Sequence, residues 1–262
     1  MGSSGRMTSA RRRKLMDQLG ATDIVRVADL AQSFQVSEIT VRRDLDELAE
    51  QGLIERVHGG ARLIAHRPAD AAEGTDAGQV GKKRLIAAAA ARLVRPGDTV
   101  LLSGGTTTLA VFREISRMDV RIITNNATVL GEMTDDTAAT LFVLGGEYNR
   151  DTRALNGDLT NLTLNEIYGT ICFLGTNAMS QHTGLTSSIY AAASINRLMA
   201  TQCKGNVVVV ADSSKIGKTS HFVSLPLSQV RVLVTDDDAD QGELAAYRNS
   251  GIETVVCRPG QD

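Results

Sequence analysis

Several clusters of small polar residues beyond residue 100 of this chain could do chemistry, and that chemistry is anion binding. Ser103-Gly104-Gly105-Thr106-Thr107-Thr108 follows a short apolar run and precedes a helical pattern. Two glycines leave backbone N–H groups open, hydroxyls add donors, and a helix N-terminus contributes partial positive charge. That combination suits a phosphate. Read as structure only, the same loop is a tight turn between a strand and a helix. Further polar clusters end other apolar runs: Thr124-Asn125-Asn126, Gly145-Gly146-Glu147, Gly175-Thr176-Asn177 and Asp212-Ser213-Ser214-Lys215. In open α/β sheets ligands bind outside the carboxyl ends of the strands. Lys215 could neutralise a phosphate or carboxylate there, and Asp212 could accept hydroxyls of a sugar. The candidate ligand-binding set is therefore Ser103, Gly104, Gly105, Thr106, Thr107, Thr108, Thr124, Asn125, Gly145, Gly146, Glu147, Gly175, Asp212 and Lys215.

Other chemistries find less support. Gly217-Lys218-Thr219 after a Val-rich run has the end of a P-loop, but the glycine required five positions earlier is Asp212. Ser214 and Lys215 are adjacent and do not form a nucleophile–base pair. His58, His66, His182 and His221 show no metal-ligand spacing, and Cys172, Cys203 and Cys257 include no CxxC pair. The expectation is no catalytic residue, no metal, no cofactor and three reduced thiols.

A second group of residues lies near the amino terminus. Arg11-Arg12-Arg13-Lys14 places four cations at the start of a helical pattern, where they can meet phosphates. Ser37, Glu38, Thr40, Arg42 and Arg43 open another helix. Arginine there can take guanine O6/N7 bidentately or hold a phosphate. His58-Gly59-Gly60 and Arg62 sit between two extended runs and fit the tip and edge of a β-wing. The candidate DNA-binding set is Arg11, Arg12, Arg13, Ser37, Glu38, Thr40, Arg42, Arg43, His58, Gly59, Gly60 and Arg62. The bland alternative is a three-helix domain with solvated charges.

The elements that must position these residues change character along the chain. Residues 1–67 hold 11 basic and 9 acidic side chains and the remainder 17 and 21, so a slightly basic front precedes a mildly acidic back. Aromatics make up 3% with no Trp, which disfavours a stacking platform for single-stranded nucleic acid. The weak net basicity disfavours a nonspecific architectural DNA binder. There is no apolar run of membrane-spanning length. Met1–Arg6 reads as an expression leader, with Met7 a native start.

In the front part, a helix over Ser9–Leu19 stops at Gly20. A second, Val27–Phe34, places Val27, Leu30, Ala31 and Phe34 on one stripe. A third is capped by Ser37, carries Val41, Leu45 and Leu48 inward, and ends near Gly52. Two helices joined by a short turn, followed by a wing, give a winged helix-turn-helix over residues 8–64. Residues 65–79 lack large apolar side chains and read as a flexible linker.

From residue 80 to 260, apolar runs alternate with helical patterns. Strands are expected at Thr99–Leu102, Arg121–Thr124, Thr140–Leu144, Ile171–Leu174, Asn206–Ala211, Val230–Thr235 and Glu253–Cys257. Helices are expected at Lys82–Val94, Asn126–Met133, Leu159–Tyr168, Ile189–Gln202 and Asp240–Asn249. Continuous apolar strands separated by helices imply a mainly parallel sheet covered on both faces, a doubly wound α/β body.

The front segment, from Val27-Ala28-Asp29-Leu30 through Val41-Arg42-Arg43-Asp44-Leu45 to His58-Gly59-Gly60-Ala61, resembles the head of the DeoR family of bacterial transcriptional regulators. The resemblance puts the helix-turn-helix at about Val25–Asp44. It continues through Gly105-Thr106-Thr107, Thr124-Asn125, Gly145-Gly146-Glu147, Phe173-Leu174-Gly175, Gly184-Leu185-Thr186 and Asp212-Ser213-Ser214-Lys215-Ile216-Gly217. Ser103-Gly104 depart from the family's Asp-Ser, removing one acceptor. The resemblance implies an effector domain similar to ribose-5-phosphate isomerase and glucosamine-6-phosphate deaminase. It also implies a phosphorylated sugar as effector, double-stranded operator DNA as partner, and a homo-oligomer, dimer or tetramer. The chain would then be a repressor of carbohydrate-metabolism genes in the cytoplasm, associated with the nucleoid when bound. An isomerase or deaminase with an appended DNA head is the competing reading, but enolisation needs a positioned carboxylate base and spacing nominates none.

Overall fold

A computed structural model describes residues 15, 18, 25–50, 54–57, 59–63 and 77–260. The chain divides into two compact units, Met1–His66 and Arg67–Asp262.

In the first unit, Leu15 and Gln18 are helical, and Leu15 is buried. The rest of the expected Ser9–Leu19 helix lies outside the described residues. Strand β1 (Val25–Arg26) leads into helix α1 (Val27–Phe34), which buries Val27 and Leu30. Gln35 ends it in the left-handed conformation at φ 54°, and the Val36 N–H donates to the Ala31 carbonyl at 3.1 Å. Helix α2 (Glu38–Glu50) follows. Ser37 Oγ accepts from the Thr40 N–H at 3.2 Å, satisfying one amide that the first helical turn leaves free. Val41, Leu45 and Leu48 are buried along one stripe, as their spacing requires.

Strands β2 (Ile54–Val57) and β3 (Gly60–Leu63) form the wing, with β1 on the far side of β3. Gly59 turns at φ 77°, and a Cβ on Gly60 would collide with the Val25 carbonyl oxygen. Both glycines are therefore set by backbone geometry. Arg56 joins wing to helix: its Nε lies 3.1 Å from Asp46 Oδ1, and its Nη1 donates to the Gly60 carbonyl at 3.2 Å.

The second unit opens with helix α3 (Ala77–Ala91). It starts inside the stretch expected as linker, so residues 77–79 are helical; residues 64–76 lie outside the described residues. The unit continues through β4 (Thr99–Leu102), α4 (Thr106–Ile115), β5 (Arg121–Thr124), a 3-10 helix (Ala127–Glu132) and β6 (Thr140–Val143). Next come β7 (Glu147–Asn149), β8 (Ala154–Asn156), α5 (Asp158–Asn165), β9 (Gly169–Leu174), β10 (Ala178–Ser180), β11 (Gly184–Ser187) and α6 (Tyr190–Gln202). The last elements are β12 (Cys203–Val210), β13 (Phe222–Leu225), β14 (Val232–Asp236), α7 (Gln241–Asn249) and β15 (Glu253–Cys257).

Seven strands form one parallel sheet in the order β15-β14-β12-β9-β4-β5-β6. Successive residues of a strand feed opposite faces. Val100, Leu102, Ile171, Phe173, Val208 and Val210 pack with Ile86, Ala87 and Ala90 of α3 and with Val111, Phe112 and Ile115 of α4. Leu101, Cys172, Leu174, Val207 and Val209 pack on the other face with Leu164, Ile195, Met199, Leu244 and Tyr247. The apolar runs are continuous because both faces are buried.

Three expected strands agree with the structure at both ends, and the others differ by one to three residues. The expected helix over Asn126–Met133 is a 3-10 helix instead. Thr128 and Val129 are β-branched and Gly131 is a poor helix former, so the stretch closes i→i+3 bonds such as Val129 N–H to Asn126 O. The β7–β8 hairpin and a small β10-β11-β13 sheet were not anticipated.

The left-handed Gln35 gives a direct test of the turn. A side chain costs energy at that φ and glycine does not, so Gln35→Gly should stabilise the first unit by about 0.5–1 kcal/mol. Chemical denaturation followed on the first unit reads this; a destabilised variant would mean that the Gln35 side chain contributes more than its backbone costs.

Candidate functional site

The sheet order reverses between β4 and β9. From β4 the chain builds outward to β5 and β6, then returns to lay β9 on the opposite side of β4. The carboxyl ends of those two strands lie side by side at this switch point, where a ligand site is expected. A cavity of about 390 Å³ occupies it, a volume suited to a small metabolite.

One wall is the loop after β4 and the start of α4. Gly105 caps the helix at φ 140° with no side chain to occupy the first-turn amides. Gly104, Gly105, Thr106 and Thr107 line the cavity. The loop is held from outside. Asn125 Oδ1 accepts from the Gly104 N–H at 2.9 Å, and Asn126 Nδ2 donates to the Gly105 carbonyl at 3.1 Å. Asn125 Nδ2 also donates to the Leu155 carbonyl at 3.1 Å, tying the loop to β8. The helix dipole and the open amides favour an anion at this wall.

The opposite wall carries charge. Asp212 caps the short 3-10 turn Ser213–Lys215 by accepting from the Ser214 N–H at 3.0 Å. Its other oxygen, Oδ2, is buried and has no hydrogen-bonding partner among the described residues. Lys215 is buried and lines the cavity. So does Lys83 from α3, only 7% exposed. Arg150 and Arg153, at the tip of the β7–β8 hairpin, complete the cationic lining.

Of the residues selected from sequence, Gly104, Gly105, Thr106, Thr107, Asn125, Gly175, Asp212 and Lys215 meet at this cavity. The other six do not line it, each for a local reason. Ser103 is buried and its Oγ accepts from the Gly175 N–H at 3.0 Å, joining the ends of β4 and β9. Thr108 Oγ1 donates back to the Gly105 carbonyl at 3.0 Å. Thr124 Oγ1 accepts from the Asn126 N–H at 3.0 Å. Gly145 accepts from Thr160 Oγ1 at 2.6 Å, and a Cβ on Gly146 would collide with Thr160 Oγ1 and the Asn156 carbonyl. Glu147 is exposed on β7. The departure at Ser103 therefore falls on a residue that ties strand ends together.

Sequence reasoning missed Lys83, Arg150 and Arg153. Lys83 left a signal: it stands three and four residues before Ile86 and Ala87, on the buried stripe of α3. A buried lysine on such a stripe needs a partner or a ligand. The hairpin arginines left none, since two three-residue strands carry too little periodicity to read.

Lys82, next to Lys83, braces the Asp212 loop. Its Nζ lies 2.9 Å from Asp236 Oδ1, 2.7 Å from Asp238 Oδ2 and 2.9 Å from Ser213 Oγ, while Asp236 Oδ2 accepts from the Ser213 N–H at 2.6 Å. Burial alone would lower the Lys82 pKa, but the hydrogen bonds to Asp238 and Asp236 outweigh it and the net shift is upward. Burial would likewise raise the Asp236 pKa, yet the Ser213 amide and Lys82 hold it below its ordinary value.

In the first unit, Ser37, Glu38, Thr40, Arg42 and Arg43 gather on the amino-terminal turns of α2. Arg42 Nη2 pairs with Glu38 Oε2 at 3.2 Å, and Arg43 is exposed. Gly59 and Gly60 form the wing turn. Arg11, Arg12, Arg13 and His58, and the side chain of Arg62, lie outside the described residues.

The DeoR-like helix-turn-helix domain matches residues 11–67, and the DeoR C-terminal sensor domain matches residues 78–237. The chain belongs to the DeoR family. Its relatives include the lactose phosphotransferase system repressor of Streptococcus mutans serotype c, 34% identical over 89% of this chain and 94% of that protein. Transcriptional repressor AccR of Agrobacterium fabrum is 32% identical over 87% of this chain and 90% of that protein. Among solved structures, ribose 5-phosphate isomerase A from Methanocaldococcus jannaschii is 18% identical over 51% of this chain and 53% of that chain, with a TM-score of 0.37. This DeoR-family protein is thus a DNA-binding transcriptional regulator with a carboxy-terminal sensor domain. None of its described helices is long and apolar enough to cross a membrane.

The Lys82–Asp236 pair makes sensor-domain stability depend on pH with a definite sign. Asp236 titrates below its ordinary 3.8, so its contribution is full above that value and fades as pH falls through the lowered pKa. Lys82 titrates above its ordinary 10.5, so its contribution is full below that value and fades as pH rises through the raised pKa. Asp236→Asn should cost about 2 kcal/mol at neutral pH and flatten the loss of stability below pH 3.8. Thermal melts across pH check this; an unchanged acid limb would remove Asp236 as a source of it.

Proposed function

We propose that this protein is a repressor of carbohydrate-metabolism genes that is released from a double-stranded operator when a phosphorylated sugar fills the sensor cavity. One observation carries the reading. The open first-turn amides of α4 share the cavity with two buried lysines, Lys83 and Lys215, and with Asp212, whose Oδ2 has no hydrogen-bonding partner among the described residues. A phosphate takes the amides and a cation, and a sugar hydroxyl donates to Asp212. The names of the relatives, a lactose phosphotransferase system repressor among them, support the same direction.

Control follows from linkage. A ligand that prefers the conformation with low operator affinity lowers that affinity by the factor of its preference, and operator lowers ligand affinity equally. The protein acts as a cytoplasmic homo-oligomer, a dimer or tetramer, whose paired heads match paired half-sites and which joins the nucleoid when bound. Exposed Leu159 and Leu162 on α5 and Phe142 on the edge strand β6 support self-association. The sensor domain senses without turnover, a reading supported by relatives named as transcriptional repressors and by the match to a sensor domain.

A panel of sugar phosphates tests this by thermal stabilisation and operator release together. A ligand at a hundred times its Kd should raise the melting temperature of the sensor domain by about 5–10 °C. The same ligand should reduce operator affinity, while Lys83→Gln should weaken both responses at least tenfold and leave ligand-free DNA binding intact. Stabilisation without any change in operator affinity would remove the coupling; no stabilisation by any phosphorylated sugar would remove the effector class.

A further inference from the structure

The recognition surface of α2 contains a residue that neither charge nor hydrogen bonding explains. Ile39 is 80% exposed, the most exposed of the large hydrophobic side chains among the described residues. A lone exposed isoleucine on a surface elsewhere would need no explanation. This one has a defined position. With 3.6 residues per turn, the buried residues Val41, Asp44, Leu45 and Leu48 mark the core side of α2, and Ile39 stands on the side opposite. Its neighbours one turn on, at i+3 and i+4, are the exposed Arg42 and Arg43. It also lies in the first turn, next to the Ser37 cap. The amino-terminal residues of a recognition helix are those that reach base edges in the major groove.

The isoleucine contributes nothing to the fold there. Its side chain is in water, and a β-branched residue is a weaker helix former than alanine or lysine. On the DNA side its chemistry is selective. The major-groove edges of guanine, cytosine and adenine present donors and acceptors that an aliphatic chain cannot satisfy, whereas thymine adds a C5-methyl group. Pressing Ile39 onto a G·C edge would strip water from polar groups and return no hydrogen bond.

We infer that Ile39 is a specificity-determining residue that reads a thymine methyl in each half-site, between the contacts of Arg42 and Arg43. The inference rests on the reading of α2 as the helix that enters the major groove.

The test uses the full chain and needs no prior operator. Selection from a random duplex library defines the preferred site, and each thymine in it is then replaced by deoxyuridine, which deletes only the methyl. One thymine per half-site should show about a fourfold loss of affinity on that replacement, the value of one buried methyl group. Ile39→Ala should bind the thymine site more weakly and show no further loss with deoxyuridine. Because Ile39 is exposed, that variant retains its fold, and its melting curve verifies this. If no deoxyuridine weakens the parent protein, or if Ile39→Ala suffers the same loss as the parent, Ile39 does not read a methyl. If selection enriches no sequence at all, the reading of α2 itself falls, and the inference falls with it.

Discussion

The sensor domain depends on one constraint: a parallel sheet must be covered on both faces, and the covering helices must change sides somewhere. Here they change between β4 and β9, and the two strand ends lie side by side. Ser103 resolves the resulting gap by accepting the Gly175 N–H, so the backbone of one strand end is satisfied from the other. Asn196 Nδ2 donates to the Gly175 carbonyl at 2.8 Å and completes the accounting. The amides at the start of α4, by contrast, receive no side-chain cap. The cavity thus joins uncapped helix amides to a buried carboxylate oxygen that the described residues leave without a hydrogen bond.

Legibility from sequence followed the strength of the local signal. Strands such as Thr99–Leu102 and Arg121–Thr124 were readable because burial on both faces demands the apolar runs Val100–Leu102 and Ile122–Ile123 at their centres. Strand β9 was readable only from Ile171, since Gly169 and Thr170 carry no apolar signal. Gly169 is glycine because a Cβ would sit 2.5 Å from Leu101 Cγ, a tertiary fact invisible along the chain. In the site, glycine-threonine and aspartate-lysine clusters were legible, but clustering could not separate residues that line the cavity from residues that hold the lining. Thr108, Thr124 and Ser103 have the same chemistry as Thr106 and Thr107 and spend it on backbone partners.

The neighbouring lysines of α3 divide two tasks. Lys82 clamps Asp236, Asp238 and Ser213, fixing the turn that presents Asp212 and Lys215. Lys83 enters the cavity itself. Residues one apart on a helix point in different directions, so one turn of α3 both braces the cavity wall and lines the cavity. Of the described elements of this unit, α3 is the nearest in sequence to the DNA-binding unit. A ligand contact made through Lys83 therefore bears directly on the helix that begins the sensor domain.

The buried Asp212 Oδ2 has a consequence for noise. Inorganic phosphate is abundant in any cell, and its charge suits the amides of α4 as well as a sugar phosphate does. A single oxyanion at that wall, however, offers no donor to the buried carboxylate oxygen of Asp212. Only a molecule that joins an anionic end to a hydroxyl-bearing body serves both. On the sugar-phosphate reading, the carboxylate selects for a donor beside the anion, and the commonest anion is discriminated against by what it lacks.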